Sequence, residues 1–427
     1  MSVAQNTEQS TKSRGLKRRV FVAVLKVVVV IIALYFLLPW VGLRVLRVPR
    51  SSVAIEGSVL EQSRAETIEL TQNATRPVNV IVFVADGLGF AHLSAARAAL
   101  HGMGGSTAWD RFTATGWHQP HSATGYLVDS AASGTALATG VPTHNDRVGV
   151  DVEHEPLANL FERATKLGYR GGIVTDSYIW DATPAAFATH AVSRDDAESI
   201  LEQLADSSLE ILVGELEDLG EEEVPELEPT VAILEQRFRV FGPDAQGTEE
   251  FMVEGSRGGP VAAIFEEDQV TDLESTPTLP EVLSVALARL SSDDRPFVLL
   301  VESEEADSAS HRSDFGRLLR GLEVIESALE LVLDFAETDG RTLVVFTSDH
   351  ETGGLVLGLG DPTNKSMKAL WSTSHHSGVV VPVLARGPGA ESFGGIHATW
   401  EIGRLLGEML EQPIVAPETP AVVEQAY

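Results

Sequence analysis

Four short apolar runs, separated by helix-like segments, constrain the fold of this 427-residue chain more than any other feature. Each run is rich in β-branched residues and is too short for a helix, so each is predicted to be a buried strand. The four runs are 79–84, 171–175, 297–301 and 342–347. Apolar residues at three-to-four spacing from Leu318 to Phe335 predict a helix that Ser313 opens and Gly340 closes. This alternation predicts an α/β fold with a mostly parallel central sheet and helices on both faces.

Carboxylate and imidazole side chains, which can bind metals, follow these runs. Asp86 comes after the first run, Asp181 after the second, Glu302 after the third and Asp349-His350 after the fourth. Ligands of open α/β sheets bind beyond the carboxyl ends of the strands, so we expect these side chains to share one edge. The chain has no cysteine, and any bound metal must therefore take oxygen and nitrogen ligands. The sequence predicts a metal site at this edge.

A segment of small residues, 129–136, is predicted to begin a helix. A serine at a helix amino terminus meets exposed backbone N–H groups, which stabilise incoming negative charge. Ser130 could therefore be a nucleophile, provided that a base or a metal removes its proton. Alternatively, Ser130 and Ser133 are helix caps, as many such serines are.

The first 50 residues differ sharply from the rest. Residues 20–43 are apolar except for Lys26, and these 24 residues would cover about 36 Å as a helix, enough to cross a bilayer. Five basic residues precede the run and three follow it, which favours a cytoplasmic amino terminus. We predict a cytoplasmic basic segment and transmembrane signal anchor in 1–50, a linker in 51–77 and one catalytic domain in 78–427. The catalytic domain would face the periplasm or the exterior. A cleaved signal peptide and a secreted protein are the alternative.

The chain beyond residue 50 is strongly acidic. It holds 22 basic and 61 acidic residues, a formal charge of −39, and only three of its basic residues are lysines. Such a surface repels nucleic acid backbones, which argues against nucleic acid binding. It is also what we expect of a halophilic protein, because concentrated salt screens self-repulsion.

The motifs around these residues resemble those of the alkaline phosphatase family. The resemblance runs from about residue 78 to 411 in family order, and it rests on these elements: Asp86-Gly87, Asp129-Ser130-Ala131-Ala132-Ser133, Asp181-Ala182-Thr183-Pro184, Glu302-(x)4-Asp307-(x)3-His311, Asp349-His350 and His376-Ser377-Gly378. It implies that Ser130 is the nucleophile and that Arg194 binds the phosphate. It also implies that Asp181 supports the site without being a metal ligand. The implied activity is hydrolysis of small phosphate monoesters through a phosphoserine. The family's habit also implies a homodimer.

The resemblance also implies three metal ions. One zinc would be held by Asp307, His311 and His376, and a second zinc by Asp86, Asp349 and His350. A magnesium ion would be held by Asp86, Thr183 and Glu302. This division fits the chemistry, because mixed imidazole and carboxylate sets suit zinc, whereas an all-oxygen set suits magnesium.

Some positions depart from the family pattern or leave alternatives open. Ser308 stands where relatives often carry lysine or histidine, and we expect Glu305 and Ser310 to alter the same neighbourhood, Glu305 by adding negative charge. His375 could replace His376 as the ligand, and Arg194 could be a surface arginine. Rival functions are hydrolysis of phosphodiesters or sulfate esters, a phosphonate- or phosphoglycerate-type reaction, and phosphate binding without turnover.

Overall fold

The computed structural model describes residues 76–102, 104–216, 227–361 and 366–411, together with Lys26. Apart from Lys26, the predicted membrane span at 20–43 lies outside these residues, as does nearly all of the predicted linker. Among the residues described, no helix is both long enough and apolar enough to span a bilayer. The described residues from 76 to 411 belong to one compact unit.

The strands follow the predicted apolar runs and extend several of them. The part of the chain that the structure describes contains, in chain order, the strands Asn79–Ala85 (β1), Ala114–Gln119 (β2), Arg170–Tyr178 (β3), Leu209–Glu215 (β4), Arg239–Phe241 (β5), Val261–Phe265 (β6), Phe297–Ser303 (β7), Thr342–Thr347 (β8), Glu351–Thr352 (β9), Leu355–Asp361 (β10), Ser366–Trp371 (β11), His376–Ser377 (β12), Val381–Arg386 (β13) and Gly395–Ala398 (β14).

Helices alternate with the strands through most of the chain. They are Phe90–Ala96 (α1), Ser130–Thr139 (α2), Leu160–Lys166 (α3), Ala182–Ala188 (α4), Ala197–Asp206 (α5), Leu227–Leu234 (α6), Ala245–Glu254 (α7), Leu279–Leu290 (α8), Glu305–His311 (α9), Phe315–Asp339 (α10) and Thr399–Glu411 (α11). The predicted end of α10 is confirmed, because Gly340 has a left-handed backbone with φ 68°. Its predicted start is wrong: Asp314 rather than Ser313 caps α10, because the Asp314 carboxylate accepts the Arg317 N–H at 3.0 Å.

The prediction of a mostly parallel sheet is confirmed. Ten strands pair in the order β14-β2-β13-β8-β1-β7-β3-β4-β6-β5. All neighbours run parallel except at β13, which is antiparallel to both β8 and β2. Strand β1 lies between β7 and β8, and Val84 pairs with Glu302 on one side and with Thr347 on the other. This register brings to one edge the ends of the three strands at which predicted metal ligands lie.

Both faces of the sheet are covered, as predicted. Successive strand residues point to opposite faces, so β1 contributes Ile81 and Phe83 to one buried cluster and Val80 and Val82 to another. Helices α8 and α10 pack in the first cluster. Helices α2, α4 and α11 pack in the second. The close approach of α2 to α4 depends on Gly134, since a Cβ there would lie 3.2 Å from the Cβ of Ala186.

Candidate active site

Helix α9 and strand β12 bring together the first predicted zinc set, Asp307, His311 and His376. One potential ligand atom from each residue lies within 4.8 Å of the other two. Asp307 and His311 lie one helical turn apart, with His311 Nε2 3.2 Å from Asp307 Oδ2. The Nδ1 atoms are engaged elsewhere, that of His311 with the Ser374 carbonyl at 2.8 Å and that of His376 with the Val128 carbonyl at 2.7 Å. An Nδ1–H that donates to a carbonyl leaves the Nε2 lone pair available for a metal.

The ends of β1 and β8 bring together the second predicted zinc set, Asp86, Asp349 and His350. All three side chains are buried, and their potential ligand atoms also lie within 4.8 Å of one another. His350 Nε2 lies 3.0 Å from Asp349 Oδ2 and 3.6 Å from Asp86 Oδ1. Burial lowers the pKa of His350, although Asp349 opposes this shift. The neutral imidazole that results is the form that binds metals. The rings of His350 and His376 stack with centroids 3.5 Å apart, so the two sets adjoin.

The predicted magnesium ligands lie in the same buried region. Thr183 is near the start of α4 and Glu302 is in β7, and both are fully buried. One Glu302 oxygen accepts the Thr175 hydroxyl at 2.6 Å. Burial, reinforced by neighbouring carboxylates, raises the pKa of Asp86 and of Glu302 well above the usual range.

Several of these oxygens are buried without a hydrogen-bond partner in the described part of the chain. They are Asp86 Oδ1, Thr183 Oγ1, Glu302 Oε1 and Asp349 Oδ2. Orphaned buried oxygens are costly, and a cation is the partner that satisfies several of them at once. The donor chemistry therefore fits metal ions, with imidazoles in the two predicted zinc sets and oxygens alone in the predicted magnesium set.

Ser130 is the first residue of α2, and its hydroxyl is not used for capping. The cap is Asp129, whose Oδ1 accepts the Ala132 N–H at 2.9 Å. Ser130 Oγ instead lies 3.3 Å from His350 Nε2, beside the second predicted zinc set. Ser133 is not a helix cap either, because its hydroxyl donates to the Asp349 carbonyl at 2.7 Å. Ser133 thus fixes α2 against the end of β8.

Arg194 is held by Asp181. The Arg194 Nη2 donates to Asp181 Oδ1 at 2.8 Å, and Asp181 also caps α4 and accepts the Ser177 hydroxyl at 2.6 Å. Burial lowers the pKa of Arg194, but Asp181 and Tyr178 outweigh it, and the pKa is raised above its usual value. About a quarter of the side chain is exposed, 26%. Arg194 is therefore a fixed cation and not a free surface arginine.

The loop around Asp146 connects Arg194 to the start of α2. The Asp146 N–H donates to Asp129 Oδ2 at 2.6 Å, and the Asp146 carbonyl accepts the Arg194 N–H at 3.0 Å. Asp146 has a left-handed backbone with φ 72°, which lets both groups point toward their partners. A single short loop thus positions Arg194 relative to the helix that carries Ser130.

Ser308, Glu305 and Ser310, the positions that depart from the family pattern, have different hydrogen-bond partners. Ser308 donates to Glu304 Oε1 at 3.1 Å, and burial together with nearby acids raises the pKa of Glu304 well above its usual range. The expectation for Glu305 is wrong: its carboxylate accepts from Arg317 at 2.7 Å, which compensates its charge. Ser310 donates to the carbonyl of the residue after Glu305 and so adds no charge.

His375 and His376 differ in exposure and in distance from His311. His375 is exposed, and its ring centroid lies 6.4 Å from that of His311. His376 is half-buried, belongs to the first ligand set, and has a ring centroid 5.2 Å from that of His311. The geometry favours His376 as the ligand.

The sequence reasoning missed residues that hold the ligands in place. Thr352 donates to Asp307 Oδ1, and Thr175 donates to Glu302. Asp176 is buried and accepts the Ser303 hydroxyl at 2.5 Å and the Glu304 N–H at 2.7 Å. A signal existed for the β3 residues, because three polar residues, Thr175 to Ser177, end an otherwise apolar run.

The chain is similar to known proteins in sequence and in fold. A family model described as alkaline phosphatase matches residues 78–224 and 264–366. Alkaline phosphatase 4 of Bacillus subtilis is 29% identical over 325 residues, which cover 72% of this chain and 68% of that protein. Alkaline phosphatase from the Antarctic bacterium TAB5 has a similar structure, with a TM-score of 0.70 and 25% identity over 80% of this chain and 100% of that one. A variant of the TAB5 enzyme with Mg bound in its M3 site has the same TM-score and coverage, with 26% identity.

Proposed function

Since the chain belongs to the alkaline phosphatase family and is a phosphatase, we propose that it hydrolyses small phosphate monoesters through a phosphoserine on Ser130. The observation that carries this proposal is the position of the Ser130 hydroxyl. It lies at the amino terminus of α2, free of capping, and 3.3 Å from a nitrogen of the second ligand set. A serine so placed can attack an anionic phosphate that the helix terminus also attracts.

We propose that two zinc ions and one magnesium ion are the cofactors. The first zinc would take Asp307, His311 and His376, and the second Asp86, Asp349 and His350. The magnesium ion would take the oxygens of Asp86, Thr183 and Glu302, and the Mg reported for the TAB5 variant supports a third site. When bound, these cations would neutralise the buried carboxylates, favour loss of the Ser130 proton and stabilise negative charge on the leaving oxygen.

The protein groups then account for the two displacements. Ser130 Oγ attacks phosphorus, the bond to the alcohol oxygen breaks, and the alcohol leaves with a proton. Water next attacks the phosphoserine, which frees inorganic phosphate and restores the Ser130 hydroxyl. Arg194 would bind two phosphate oxygens through its planar guanidinium, and Asp181 would keep that plane oriented during both steps.

The test is p-nitrophenyl phosphate hydrolysis by the full chain in high salt with zinc and magnesium. Ser130→Ala should abolish turnover, and a chelator should do the same to the native protein. Ser284→Ala is the matched control, because Ser284 is an exposed serine on α8 whose hydroxyl donates only to the helix backbone. Full turnover by Ser130→Ala would refute the phosphoserine mechanism.

Substrate comparison separates this proposal from its rivals. Equal concentrations of a monoester, a diester and a sulfate ester of p-nitrophenol should give the fastest turnover with the monoester. Faster diester or sulfate hydrolysis would favour those rival reactions. A folded, metal-loaded protein that turned over none of the three would favour a binding protein.

The location and assembly of the protein are also proposals. We propose that residues 20–43 anchor the catalytic domain on the periplasmic or extracellular side, with secretion after signal cleavage as the alternative. Membrane fractionation and amino-terminal sequencing of the mature chain distinguish the two. A homodimer is expected from the family, and the mass measured by light scattering would test it.

A further inference from the structure

Large apolar side chains stand exposed at positions close in sequence to Ser130 and His376. Tyr126 is 60% exposed, Leu127 is 53% exposed and Val379 is 49% exposed. Tyr126 and Leu127 precede the nucleophile Ser130 by only a few residues, and Val379 follows the ligand His376 just as closely. We call these three side chains the apolar rim. Exposed large apolar groups that cluster beside a reactive site are typical of binding surfaces.

Hydrogen bonds hold the two parts of the rim together. The His376 Nδ1 donates to the Val128 carbonyl at 2.7 Å, which joins β12 to the segment before α2. At Gly378, a Cβ would lie 3.9 Å from Leu127 Cδ2 and 3.5 Å from the Tyr126 carbonyl oxygen. Gly378, the residue before Val379, therefore lies against the segment that carries Tyr126 and Leu127.

The segment that carries the rim is also fixed relative to Ser130. The Asn145 amide donates to the Leu127 carbonyl at 3.3 Å, and its oxygen accepts the Asp129 N–H, also at 3.3 Å. Asp129 in turn caps the helix that begins at Ser130. The position of the segment 126–127 relative to Ser130 is therefore set by the fold.

We propose that the apolar rim binds the alcohol portion of the substrate, so that the enzyme favours monoesters of apolar, uncharged alcohols. This inference rests on the proposed function of Ser130. The rim takes no part in bond breaking. The rim removes the apolar surface of the alcohol from water while the phosphate is bound at Ser130.

The charge of the surroundings supports the same substrate class. The chain beyond residue 50 has a formal charge of −39. A leaving group with its own negative charge would be repelled on approach. An uncharged alkyl or aryl alcohol is not repelled, and its contact with the rim stabilises the bound substrate.

The size of the effect follows from the shape of the surface. Complete burial of one methylene group corresponds to roughly a fourfold change in affinity. An open rim covers about one side of the alcohol, so about a twofold gain in kcat/KM per methylene is expected. From ethyl phosphate to hexyl phosphate, four added methylenes should raise kcat/KM by roughly tenfold or more.

The experiment measures kcat/KM of the metal-loaded full chain for ethyl, butyl, hexyl and 5-carboxypentyl phosphate. The native protein should favour hexyl phosphate over ethyl phosphate, and the terminal carboxylate should remove that gain. The double variant Tyr126→Ser with Leu127→Ser should show a nearly flat series. The inhibition constant of inorganic phosphate should not change in the double variant, which shows that its phosphate site is intact.

Ile396→Ser is the matched control, because Ile396 is 68% exposed but lies on the edge strand β14. It should keep the native preference for long alkyl chains. A flat series in an active native protein would overturn the inference while leaving the proposed function standing, as would an unchanged preference in the double variant. Absence of turnover with every ester would overturn the proposed function and this inference with it.

Discussion

Asp176→Asn should stabilise the metal-free protein, and the gain should grow with pH. Asp176 lies in β3 with 1% of its surface exposed, and its oxygens accept the Ser303 hydroxyl and the Glu304 N–H. Burial raises the pKa of this carboxyl from 3.8 to about 7, against the opposing effect of these hydrogen bonds. Asparagine keeps the shape and both hydrogen bonds, since its carbonyl can accept from Glu304 and its amide can donate to Ser303.

The magnitude follows from the difference between the folded and unfolded pKa. A carboxyl with a raised pKa holds its proton longer in the folded state, so folding stability falls as pH rises from about 4 to about 7. Each unit of pKa difference is worth about 1.36 kcal/mol, so the cost reaches ~4 kcal/mol above pH 7. Asparagine carries no such cost. The free energy of unfolding of the variant should equal that of the native protein near pH 4 and exceed it by up to ~4 kcal/mol at pH 8.

Urea unfolding of both proteins with a chelator present, at pH 4, 6 and 8, measures this difference. The chelator is needed because a cation near Asp176 would lower its pKa and shrink the effect. As a companion, Ser303→Ala should cost about 1.5–3 kcal/mol in the native background at pH 8 and less in the asparagine background. A variant that is no more stable than the native protein at pH 8, or a gain that does not change with pH, would refute the reasoning.

Three further predictions concern the core, the ligands and the surface. Phe346→Ala should lower the free energy of unfolding by about 3–5 kcal/mol in denaturant titrations, because Phe346 is fully buried and packs against Phe83 with ring centroids 5.6 Å apart. His376→Ala should reduce the zinc content found by elemental analysis, whereas His375→Ala should leave it unchanged. The melting temperature should rise as potassium chloride is added, since salt screens the formal charge of −39 beyond residue 50; a flat response would argue against halophily.

The sequence could predict that the proposed ligands share one edge of the sheet, because local pattern and strand direction determine that placement. A buried β-branched run followed by a carboxylate places that carboxylate at a strand end, whatever the order of the strands. Asp86 and Asp349 were found in this way, and the parallel pairing of β1 with β7 and β8 brings both to the same edge. The one-turn spacing of Asp307 and His311 likewise places both on one side of a helix.

The sequence could not predict what depends on long-range packing. Nothing local indicates that β13 runs antiparallel between β8 and β2, because either direction satisfies its apolar pattern. The Arg317 that compensates Glu305 lies one helix away, and the loop at Asp146 reaches Asp129 only because of a left-handed backbone. Such contacts depend on which segments the fold brings together.

The arrangement of the buried acids predicts that a bound cation would stabilise the fold, in addition to its proposed role in catalysis. Asp86 and Asp349 are more than 260 residues apart in sequence, yet both are buried at the same strand edge with an oxygen left unpaired. Two ionised carboxylates at such short range repel each other strongly, because the protein interior screens charge poorly. The positive charge of Arg194 does not offset this repulsion, because it is paired with the carboxylate of Asp181 rather than with Asp86 or Asp349. A cation that binds only the folded chain at 100 times its Kd would add about 2.7 kcal/mol of stability per site. Because ligands must lose their protons to bind metal, this stabilisation should increase as pH rises, opposite to the trend in the metal-free protein.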